Sequence, residues 1–399
     1  MVRYYSSEEV VKRLGISRNT LYAYVSRGLI RSEPDGYGKR TRRYHAQDID
    51  RLAQRRETQE APHAALNKSV VCGAPVLDSA ITLISDDDLY YRGQSVLKLA
   101  DRGSFEETLA VLWEPAGRRL RRPDVYIYDL IEEALRLVHK SQPPVETFLA
   151  LLSMLSARDV RTFDFTPRST AQAGMVMMDG LLRILTGTWR KKGIPEHLAL
   201  YWRVDPAGQK LLDAALTLVA DHDLNMSAFV ARCAASAGCS PYAAVAAATH
   251  AFFGRQHGGN TDRIYGLLRE ADVQNNLYEV IVSRVRRGDP VPGFGHHLYE
   301  IDPRADYLLH GLPDRQGYVK QALAASQELL NGAYPSVDLA LLLLERELSL
   351  PSKAGVYLFY LGRMAGWVAH IMEQHSQGQP IRPRARYVGA SPPATAGSP

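Results

Sequence analysis

Long apolar repeats at helical spacing are the feature that most constrains the fold of this chain. They begin after residue 70 and read SFEETLAVLWEP, DVYIYDLIEEALRLVH, VETFLALLSMLSA, GMVMMDGLLRILTGTW and QKLLDAALTLVADHDL. Apolar residues that recur every three or four positions predict amphipathic helices. The two-residue alternation of strands is sparse, and short runs near 70–92 predict only a small strand pair. We therefore expect a mainly α-helical body.

Length and composition predict a soluble globular protein with more than one domain. The 399 residues exceed the size at which a single hydrophobic core usually stops growing, and 46% hydrophobic with 23% charged residues is ordinary for such proteins. The opening MVRYYSSEEV lacks the apolar core of a secretion signal, and no apolar run approaches the roughly 20 residues of a membrane span. A cytoplasmic location is therefore expected.

No sequence pattern indicates a bound metal or redox cofactor. The three cysteines, Cys72, Cys233 and Cys239, are too few for a disulfide framework and lack the paired spacing of a zinc site. A nucleotide-binding fingerprint is also missing from the sequence. We therefore predict no metal and no cofactor.

The first residues carry the pattern of a small helix-turn-helix. A serine pair followed by Glu8 and Glu9 marks a helix start, and an apolar stripe that ends at Leu14 predicts a helix over about residues 7–14. Ser17 can cap a second helix, and the Gly-rich segment after it predicts a hairpin-like loop. The arrangement resembles the winged helix-turn-helix of the MerR and excisionase-like families.

Positive charge is concentrated in this first segment. Residues 1–60 hold 13 Lys and Arg against 8 Asp and Glu, whereas the other residues hold 35 of each. A basic block beside a balanced body favours contact with a polyanion, in which the second helix would read bases and the wing would contact phosphates. The candidate DNA-binding residues are Arg18, Asn19, Arg40, Arg42 and Arg43. The alternative is a protein-interaction module whose arginines are simply solvated.

The sequence divides into four parts. Residues 1–56 are the predicted helix-turn-helix domain, and residues 57–69 have little apolar periodicity and predict a linker. Residues 70–389 are the helical body. The small, Pro-rich residues 390–399 predict a disordered tail.

A candidate site for a small anionic substrate lies in VPGFGHHLYEIDPRADYLL, residues 291–309. Its glycines allow the backbone to approach a ligand closely, its histidines can exchange a proton near neutral pH, and its arginine can bind a carboxylate through two parallel hydrogen bonds. The same stretch is compatible with an ordinary glycine turn followed by a polar loop.

Three other segments carry similar residues. TLVADHDLNMSAFVAR places His222, Asn225 and Ser227 at the end of an apolar helix, and FFGRQHGGNTD places His257 before two glycines. In YPSVDLALLLLERELSLP, Asp338 falls in the first turn of a helix, where the helix dipole stabilises a carboxylate. A structural histidine, or an aspartate that only caps a helix, would explain each segment taken alone.

Taken in order, the motifs resemble the citrate synthase family. They are YYRG at 90–93, SFEETLAVLWEP, DHDLNMSAF, HGG at 257–259, PGFGHHLYEIDPRA, YPSVDLALLL, and GRMAGWVAHIMEQ followed by IRPRARYVG. The resemblance implies a citrate synthase-like two-lobed all-helical fold with a small lobe at roughly 220–335, and a homodimer. It also implies condensation of acetyl-CoA with oxaloacetate and water to give citrate and CoA, as in the tricarboxylic acid cycle.

The resemblance further implies roles for individual residues. His257 would donate a hydrogen bond to the acetyl carbonyl, Asp338 would remove the methyl proton, and His296 would polarise the ketone of oxaloacetate. The dicarboxylate would be held by His222, Arg304, Arg363 and Arg382, the last of these reaching into the partner subunit's site. Supporting positions would be Asn225 and Ser227, with Ser227 orienting His257. The strip that receives the CoA adenine would comprise Val291, Pro292, Gly293, Phe294 and Gly295.

The chain departs from the family pattern near the CoA side. GRQ precedes His257 where the family has an apolar pair, NTD follows its two glycines, and the interval from His296 to Arg304 is one residue shorter. His297 stands where many bacterial members have an arginine suited to a CoA phosphate. The candidates to replace that arginine are Arg284, Arg286 and Arg287.

Two functional hypotheses of different classes follow. In the first, the chain is an active citrate or 2-methylcitrate synthase, an acyltransferase that uses acetyl-CoA or propionyl-CoA, and its helix-turn-helix is vestigial or an interaction module. In the second, it is a transcription regulator whose synthase-like domain senses oxaloacetate, citrate or CoA. The presence of Asp338 favours the enzyme, because a sensor has no use for proton removal. Neither hypothesis involves a membrane.

Overall fold

Two compact units make up the molecule, Met1–Ser79 and Ala80–Pro399. The computed structural model describes residues 4–14, 16–26, 29–34, 42–46, 48–49, 77–85, 88–117, 125–138, 142–385 and 388–389. Arg40, the predicted linker at 57–69 with both of its boundaries, and the predicted tail at 390–399 lie outside the described residues.

Among the described residues, the first unit has helices α1 (Ser7–Leu14) and α2 (Arg18–Ser26) and a three-stranded sheet, and Ala46, Asp48 and Ile49 are also helical. The strands are β1 (Tyr4–Tyr5), β2 (Ser32–Pro34) and β3 (Arg42–His45). Strands β1 and β2 both pair antiparallel with β3, which gives the order β1-β3-β2. The predicted first helix is confirmed, and the hairpin β2–β3 lies where the wing was expected.

Serine side chains start helices α1 and α2. Ser6 Oγ accepts the Glu9 N–H at 3.3 Å, and the Glu9 carboxylate accepts the Ser6 N–H at 2.7 Å, so one pair of residues satisfies two donors. Ser17 Oγ accepts the Thr20 N–H at 3.2 Å, as predicted for the cap of α2. The helices and the sheet share one buried cluster, which includes Tyr5, Val10, Leu14, Ile16, Leu21, Ile30 and Tyr44.

The second unit is mainly helical, which confirms the predicted fold class. Its helices are α3 (Val96–Arg102), α4 (Phe105–Leu112), α5 (Val125–Leu137), α6 (Pro144–Arg158), α7 (Pro167–Thr186), α8 (Ile194–Trp202), α9 (Pro206–Leu218), α10 (Met226–Ser236), α11 (Pro241–Phe252), α12 (Thr261–Gln274), α13 (Leu277–Arg287), α14 (Pro303–Gly311), α15 (Tyr318–Leu329), α16 (Val337–Glu347) and α17 (Ala354–Gln377). Short 3-10 turns lie at Glu114–Ala116, Val160–Phe163 and Gly258–Asn260. Over the described ranges, no helix is long and apolar enough to cross a membrane.

A small antiparallel sheet opens the second unit. It consists of β4 (Thr82–Ile84), β5 (Leu89–Tyr91) and β6 (Gln94–Ser95). The predicted strand pair is confirmed as β4 and β5. Strand β6 lies beyond the predicted range, and with only two residues it shows no alternation that could have indicated it. Arg92 and Gly93, with φ of 45° and 80°, form the two-residue turn that folds β6 back on β5. Left-handed conformations at both turn positions suit a tight hairpin, and glycine adopts one without strain.

Helix α17 lies in the interior of the helical unit. Its 24 residues are buried on all sides over most of its length, from Ala354 to Met372, as expected for a helix surrounded by others. Helix α17 packs closely at Gly366 against the segment that follows α9. A Cβ at this position would lie 2.3 Å from Asp221 Oδ1 and 2.5 Å from the Ala220 carbonyl oxygen. A glycine at this position therefore allows α17 to contact the segment that carries His222.

Asp213 on α9 is a buried carboxyl whose ionisation opposes folding. Its side chain is 7% exposed, and its Oδ1 has no hydrogen-bond partner among the described residues. Burial, reinforced by the charge of Glu106, raises the pKa of Asp213 to about 6. Because this exceeds the ordinary value of 3.8, the protonated carboxyl stabilises the fold, and this stabilisation is lost as the pH rises through about 6.

The Asp213→Asn substitution is therefore expected to stabilise the protein at alkaline pH. The free energy of unfolding should rise by about 1–3 kcal/mol at pH 8 and by well under 1 kcal/mol at pH 4, where the carboxyl is protonated in the folded state and only about half ionised in the unfolded state. Thermal denaturation of the two proteins at both pH values measures the difference. An equal gain at pH 4 and pH 8 would show that ionisation of Asp213 is not the cause.

Candidate active site

Backbone hydrogen bonds join the predicted CoA strip to the start of α16. The Gly295 N–H donates to the Tyr334 carbonyl oxygen at 2.8 Å, and the Ser336 N–H donates to the Gly293 carbonyl oxygen at 2.8 Å. Between them, Phe294 and Pro335 form an antiparallel bridge. His296 directly follows one side of this bridge and Asp338 follows the other, so the two predicted catalytic segments are held side by side.

Asp338 lies in the first turn of α16 but does not cap it. The cap is Ser336, whose Oγ accepts the Leu339 N–H at 3.4 Å, so the alternative of a capping aspartate is wrong. Burial raises the pKa of Asp338 to about 6, against the opposing charge of Arg304. A carboxylate with a raised pKa is a stronger base than an ordinary aspartate and is still largely ionised at pH 7.

His296 presents a single, defined donor. Its Nδ1 accepts the Leu298 N–H at 3.1 Å. Burial, helped by the positive charge of Arg304, lowers the pKa of His296 to about 4, so the ring is neutral at pH 7. A neutral imidazole that accepts at Nδ1 carries its proton on Nε2. The neighbouring His297 is exposed and stacks on the ring with centroids 4.7 Å apart.

His257 is held by a serine that also contacts α17. Ser227 Oγ lies 2.9 Å from His257 Nε2, accepts the Trp367 indole N–H at 3.0 Å, and donates its proton to Asn225 Oδ1 at 2.8 Å. Asn225 caps α10, since its Oδ1 also accepts the Ala228 N–H at 3.2 Å. Both predicted supporting residues therefore belong to one network around His257.

This network sets the direction in which His257 can donate. Burial, with a contribution from the charge of Arg363, lowers the pKa of His257 to about 3, so the ring is neutral at pH 7. Ser227 Oγ gives its single proton to Asn225 Oδ1 and accepts from Trp367, so it accepts a second hydrogen bond from His257 Nε2, which then carries the imidazole proton. A turn of the Ser227 hydroxyl from Asn225 to His257 Nε2 would place the imidazole proton on Nδ1.

His222 and Tyr299 form a buried hydrogen-bonded pair next to His296. The His222 Nε2 and Tyr299 hydroxyl are 3.0 Å apart, and the His222 and His296 ring centroids are 5.3 Å apart. Burial and the charges of Arg304 and Arg363 lower the pKa of His222 well below its ordinary value. Because Arg304, Arg363 and His296 all act on the pKa of His222, these four side chains form one cluster, which is the grouping that the resemblance implies.

Arg304 is buried and already paired with a carboxylate. Its Nε and Nη2 donate to Asp302 at 2.9 Å and 2.8 Å, and both side chains are almost fully buried. Burial alone would raise the pKa of Asp302, but the charge and hydrogen bonds of Arg304 outweigh it and lower that pKa. Asp302 also caps α14, so this ion pair fixes the arginine to the start of the helix.

Arg363 projects from the interior helix α17. Its side chain is 1% exposed, and its Nε donates to the Val219 carbonyl oxygen at 2.9 Å. Burial lowers the pKa of Arg363 to about 10, and the charge of Asp221 is the main influence that opposes this. Arg363 also influences the pKa values of His257 and Asp338, so its charge faces both.

One face of α17 serves several parts of the site. Arg363, Gly366, Trp367 and His370 follow one another at helical spacing, and we call them the α17 stripe. Gly366 admits Asp221, Trp367 donates to Ser227, and His370 Nε2 lies 3.3 Å from the Asp221 carboxylate. The buried pair of Asp221 and His370 is thus located directly beside His222.

Some predicted residues make no hydrogen bond or ion pair with this cluster among the described residues. Arg382 is exposed in the segment that follows α17. Of the candidates for a CoA phosphate, Arg284 is paired with Glu270 and Arg287 with Asp289. Arg286 has no ion-pair partner among the described residues.

The predicted DNA-binding residues lie in the first unit. Arg18 starts α2, is exposed, and pairs with Glu8 at 3.0 Å. Arg42 donates to Ser32, and Arg43 pairs with Glu33 and covers the Tyr4 ring at 4.2 Å. Asn19 belongs to α2 by its backbone. The arginines are therefore at the helix start and on the hairpin, although acidic or polar neighbours engage each of them.

Sequence reasoning missed four residues of the site, Tyr299, Asp302, Asp221 and His370. Asp302 could have been found, because an aspartate before Pro303 marks a helix start and lies two residues from Arg304. The contacts of the other three span 77 to 149 positions, and no local pattern reports them. Across the described residues, no group of histidine, cysteine and acidic side chains is arranged to hold a metal ion.

Comparison with known proteins agrees with this geometry. Residues 70–384 match the family model described as "Citrate synthase, C-terminal domain", and residues 4–57 match a helix-turn-helix domain. The citrate synthase of Haloferax volcanii is 28% identical over 361 residues, covering 79% of this chain and 94% of its own. The 2-methylcitrate synthase of Mycobacterium tuberculosis is 26% identical over 360 residues, covering 81% of this chain and 90% of its own.

Solved structures share the fold. The citrate synthase of Thermotoga maritima superposes with a TM-score of 0.63 at 24% identity, over 82% of this chain and 96% of its own. A ternary complex of the citrate synthase of Thermoplasma acidophilum with carboxymethyl coenzyme A and oxaloacetate superposes with a TM-score of 0.63 at 21% identity. The match covers 81% of this chain and 96% of that chain. With a family model matched across residues 70–384, the chain belongs to the citrate synthase family.

Proposed function

We propose that this protein condenses a short-chain acyl-CoA with oxaloacetate and hydrolyses the product to a tricarboxylate and CoA. It is then an acyltransferase that converts the acyl group into an alkyl group on transfer. The observation that carries the proposal is the combination of one strengthened base, Asp338, with two neutral donors, His257 and His296. Proton removal beside a carbonyl needs such a base together with a donor for the oxygen that becomes negative.

The first step is removal of a proton from the carbon next to the thioester. Asp338 takes this proton, and the electron pair moves into the carbonyl, so that negative charge grows on its oxygen. Once the Ser227 hydroxyl has turned from Asn225 to His257 Nε2, the Nδ1–H of His257 donates to that oxygen while Ser227 fixes the ring from the other side. Because His257 is neutral, it stabilises the enol without protonating the thioester in the ground state.

The second step forms the carbon–carbon bond. The enol carbon attacks the ketone carbon of oxaloacetate, and the electron pair of the ketone moves to its oxygen, to which the Nε2–H of His296 donates. The proton that Asp338 removed returns through the solvent to this oxygen, which becomes the hydroxyl of the product, and Asp338 is again a carboxylate. Water then attacks the thioester carbonyl of the product, and the carbon–sulfur bond breaks to release the CoA thiol. His296 suits the donor role because the Leu298 N–H fixes its proton on Nε2.

Binding of the dicarboxylate requires positive charge from several places. Arg363 and Arg304 supply buried guanidinium groups, which can each bind a carboxylate through two hydrogen bonds. Asp302 offsets part of the charge of Arg304. The exposed Arg382 would complete the set from the partner subunit of a homodimer, which would account for its exposure in its own chain.

The CoA part of the substrate would lie along residues 291–295. Gly293 and Gly295 have positive φ values of 91° and 80° and use part of their backbone to bind residues 334–336. Gly293 also packs closely, because a Cβ there would lie 3.1 Å from Leu339 Cβ. With Arg284 and Arg287 paired to acidic residues, Arg286 is the best candidate for a CoA phosphate.

The choice between acetyl-CoA and propionyl-CoA is tested by the release of CoA. One additional methylene changes the free energy of binding by only about 1–3 kcal/mol, so activity with both is expected and their rate ratio identifies the preferred substrate. The assay compares both thioesters with and without oxaloacetate, using the full chain. No oxaloacetate-dependent release from either would overturn the proposed function.

A second function, DNA binding, is favoured by the helix-turn-helix domain matched at residues 4–57. Arg18 and Tyr22 lie one turn apart on α2 and are both exposed, whereas Leu21 is buried. This is the face that a recognition helix presents to the major groove. The enzyme would then be tethered to DNA or would regulate transcription.

Anisotropy of labelled duplex DNA tests this second function with the full-length protein. Binding should weaken steeply between about 50 mM and 200 mM salt, because cations are released from the phosphates. It should also weaken in an Arg18→Ala variant and remain unchanged in a control, Arg158→Ala, whose arginine pairs with Glu133 in the helical unit. Binding that does not depend on salt, or no binding at all, would contradict this second function and favour a helix-turn-helix that serves as a protein-interaction module.

A further inference from the structure

Tyr299 lies among three residues that are proposed to hold oxaloacetate. Its ring centroid is 5.6 Å from that of His222 and 4.9 Å from that of His296, and the guanidinium carbon of Arg304 is 5.8 Å from the ring centre. The side chain is only 7% exposed. Tyr299 is therefore part of the wall of the dicarboxylate site rather than a residue of the surface loop.

The hydroxyl of Tyr299 can fix the proton of His222. Among the described residues, His222 Nε2 is the only acceptor within hydrogen-bond distance of this hydroxyl. His222 is neutral because burial and two nearby arginines lower its pKa. A neutral imidazole that accepts at Nε2 has its proton on Nδ1, and this N–H is then available to a ligand.

The pairing of Arg304 explains why such a neutral donor matters. Two of the five guanidinium donors of Arg304 are used by Asp302, and the carboxylate also offsets its charge. A dianion near Arg304 therefore meets less net positive charge than one unpaired arginine would supply. Uncharged donors aimed at its oxygens have to provide part of the binding free energy.

We propose that Tyr299 is a positioning residue, which holds His222 in the tautomer with the proton on Nδ1 and thereby sets the affinity for the dicarboxylate. This inference rests on the proposed function, because it takes oxaloacetate as the ligand. Tyr299 acts through His222 and has no part in proton removal from the thioester.

Calorimetric titration of oxaloacetate into the full-length protein, without acyl-CoA, tests the inference directly. Tyr299→Phe keeps the ring and removes only the hydroxyl. Its Kd should rise about tenfold, which corresponds to about 1.4 kcal/mol. In turnover, the KM for oxaloacetate should rise by a similar factor with little change in kcat. The matched control is Tyr307→Phe, which removes a hydroxyl bonded to Asp101 outside the cluster and should bind as the wild type does.

A spectroscopic measurement separates positioning from a merely structural role. With 15N-labelled histidine, long-range nitrogen–proton spectra distinguish the two neutral tautomers. His222 should carry its proton on Nδ1 in the wild type and should populate both tautomers in Tyr299→Phe. The wild-type spectrum alone decides if the variant does not fold, since a proton on Nε2 would overturn the inference.

The outcomes distinguish this inference from the proposed function. If the wild type binds oxaloacetate and Tyr299→Phe binds it equally well, the role of Tyr299 is wrong and the proposed function stands. If the wild type does not bind oxaloacetate, the proposed function fails and this inference fails with it.

Discussion

Asp338→Asn should lower kcat for condensation by about 10²–10⁴-fold, the range expected for loss of a general base. Asparagine has nearly the shape of aspartate but cannot take the proton from the acyl group. The substrate contacts remain, because Arg304, Arg363 and His222 are unchanged. The affinity for oxaloacetate should therefore stay within about threefold of the wild type, well under 1 kcal/mol.

Release of CoA thiol measures the rate, and calorimetry measures the binding of oxaloacetate. The control is Asp129→Asn, which makes the same change on the exposed face of α5 and should leave both quantities unaltered. A variant of Asp338 that retains more than about a tenth of the wild-type kcat would exclude this residue as the base.

The raised pKa of Asp338 predicts how kcat falls at acidic pH. Because the pKa of Asp338 is raised to about 6, kcat should fall about tenfold per pH unit below that value as the carboxylate becomes protonated. The pKa values of His257 and His296 lie at about 3 and 4, so both rings stay neutral across this range. A profile that stays flat down to pH 4.5 would contradict the assignment.

His257→Asn should lower kcat by about 10²–10³-fold, comparable with the removal of one donor from an oxyanion-binding site. The substitution removes the N–H that meets the enol oxygen, while Asp338 and the oxaloacetate site remain. Ser227→Ala should have a smaller effect, about tenfold, because the ring stays in place but loses the hydroxyl that fixes its proton.

Combining the two substitutions tests whether Ser227 acts through His257. In the His257→Asn background, Ser227→Ala should change kcat little, because there is no longer a ring to orient. Ser169→Ala is the matched control, since Ser169 is equally buried but its hydroxyl has no partner among the described residues. Additive effects of the two substitutions would show that Ser227 acts independently of His257. Because Trp367 also loses its acceptor, the melting temperature of each variant is measured alongside.

Local signals in the sequence predicted the helices and the segments of the site well. The serine and glutamate at the start of α1 form the expected reciprocal cap, and Ser17 caps α2 as expected. Asp338 does fall in the first turn of its helix. These features depend on residues three or four positions apart, so a short stretch of sequence contains both interacting groups.

Contacts between distant segments could not be predicted in the same way. The partner of His222 is Tyr299, 77 positions further along the chain, and the partner of Asp221 is His370, 149 positions away. Such pairs depend on how helices cross in the folded core. The resemblance to a family supplied the order of the motifs, but it did not supply these neighbours or the ion pair that offsets the charge of Arg304.

The α17 stripe has a consequence for how substrate choice can change during evolution. Its four residues contribute to helix packing, to the orientation of His257 and to the proposed substrate binding, so one substitution there alters several functions together. Adaptation to a different acyl chain is therefore expected to accumulate in the loop at residues 291–301, where side chains are more exposed. In a saturation library selected for activity with a non-preferred acyl-CoA, the selected substitutions should fall in that loop. The four residues of the α17 stripe should remain unchanged.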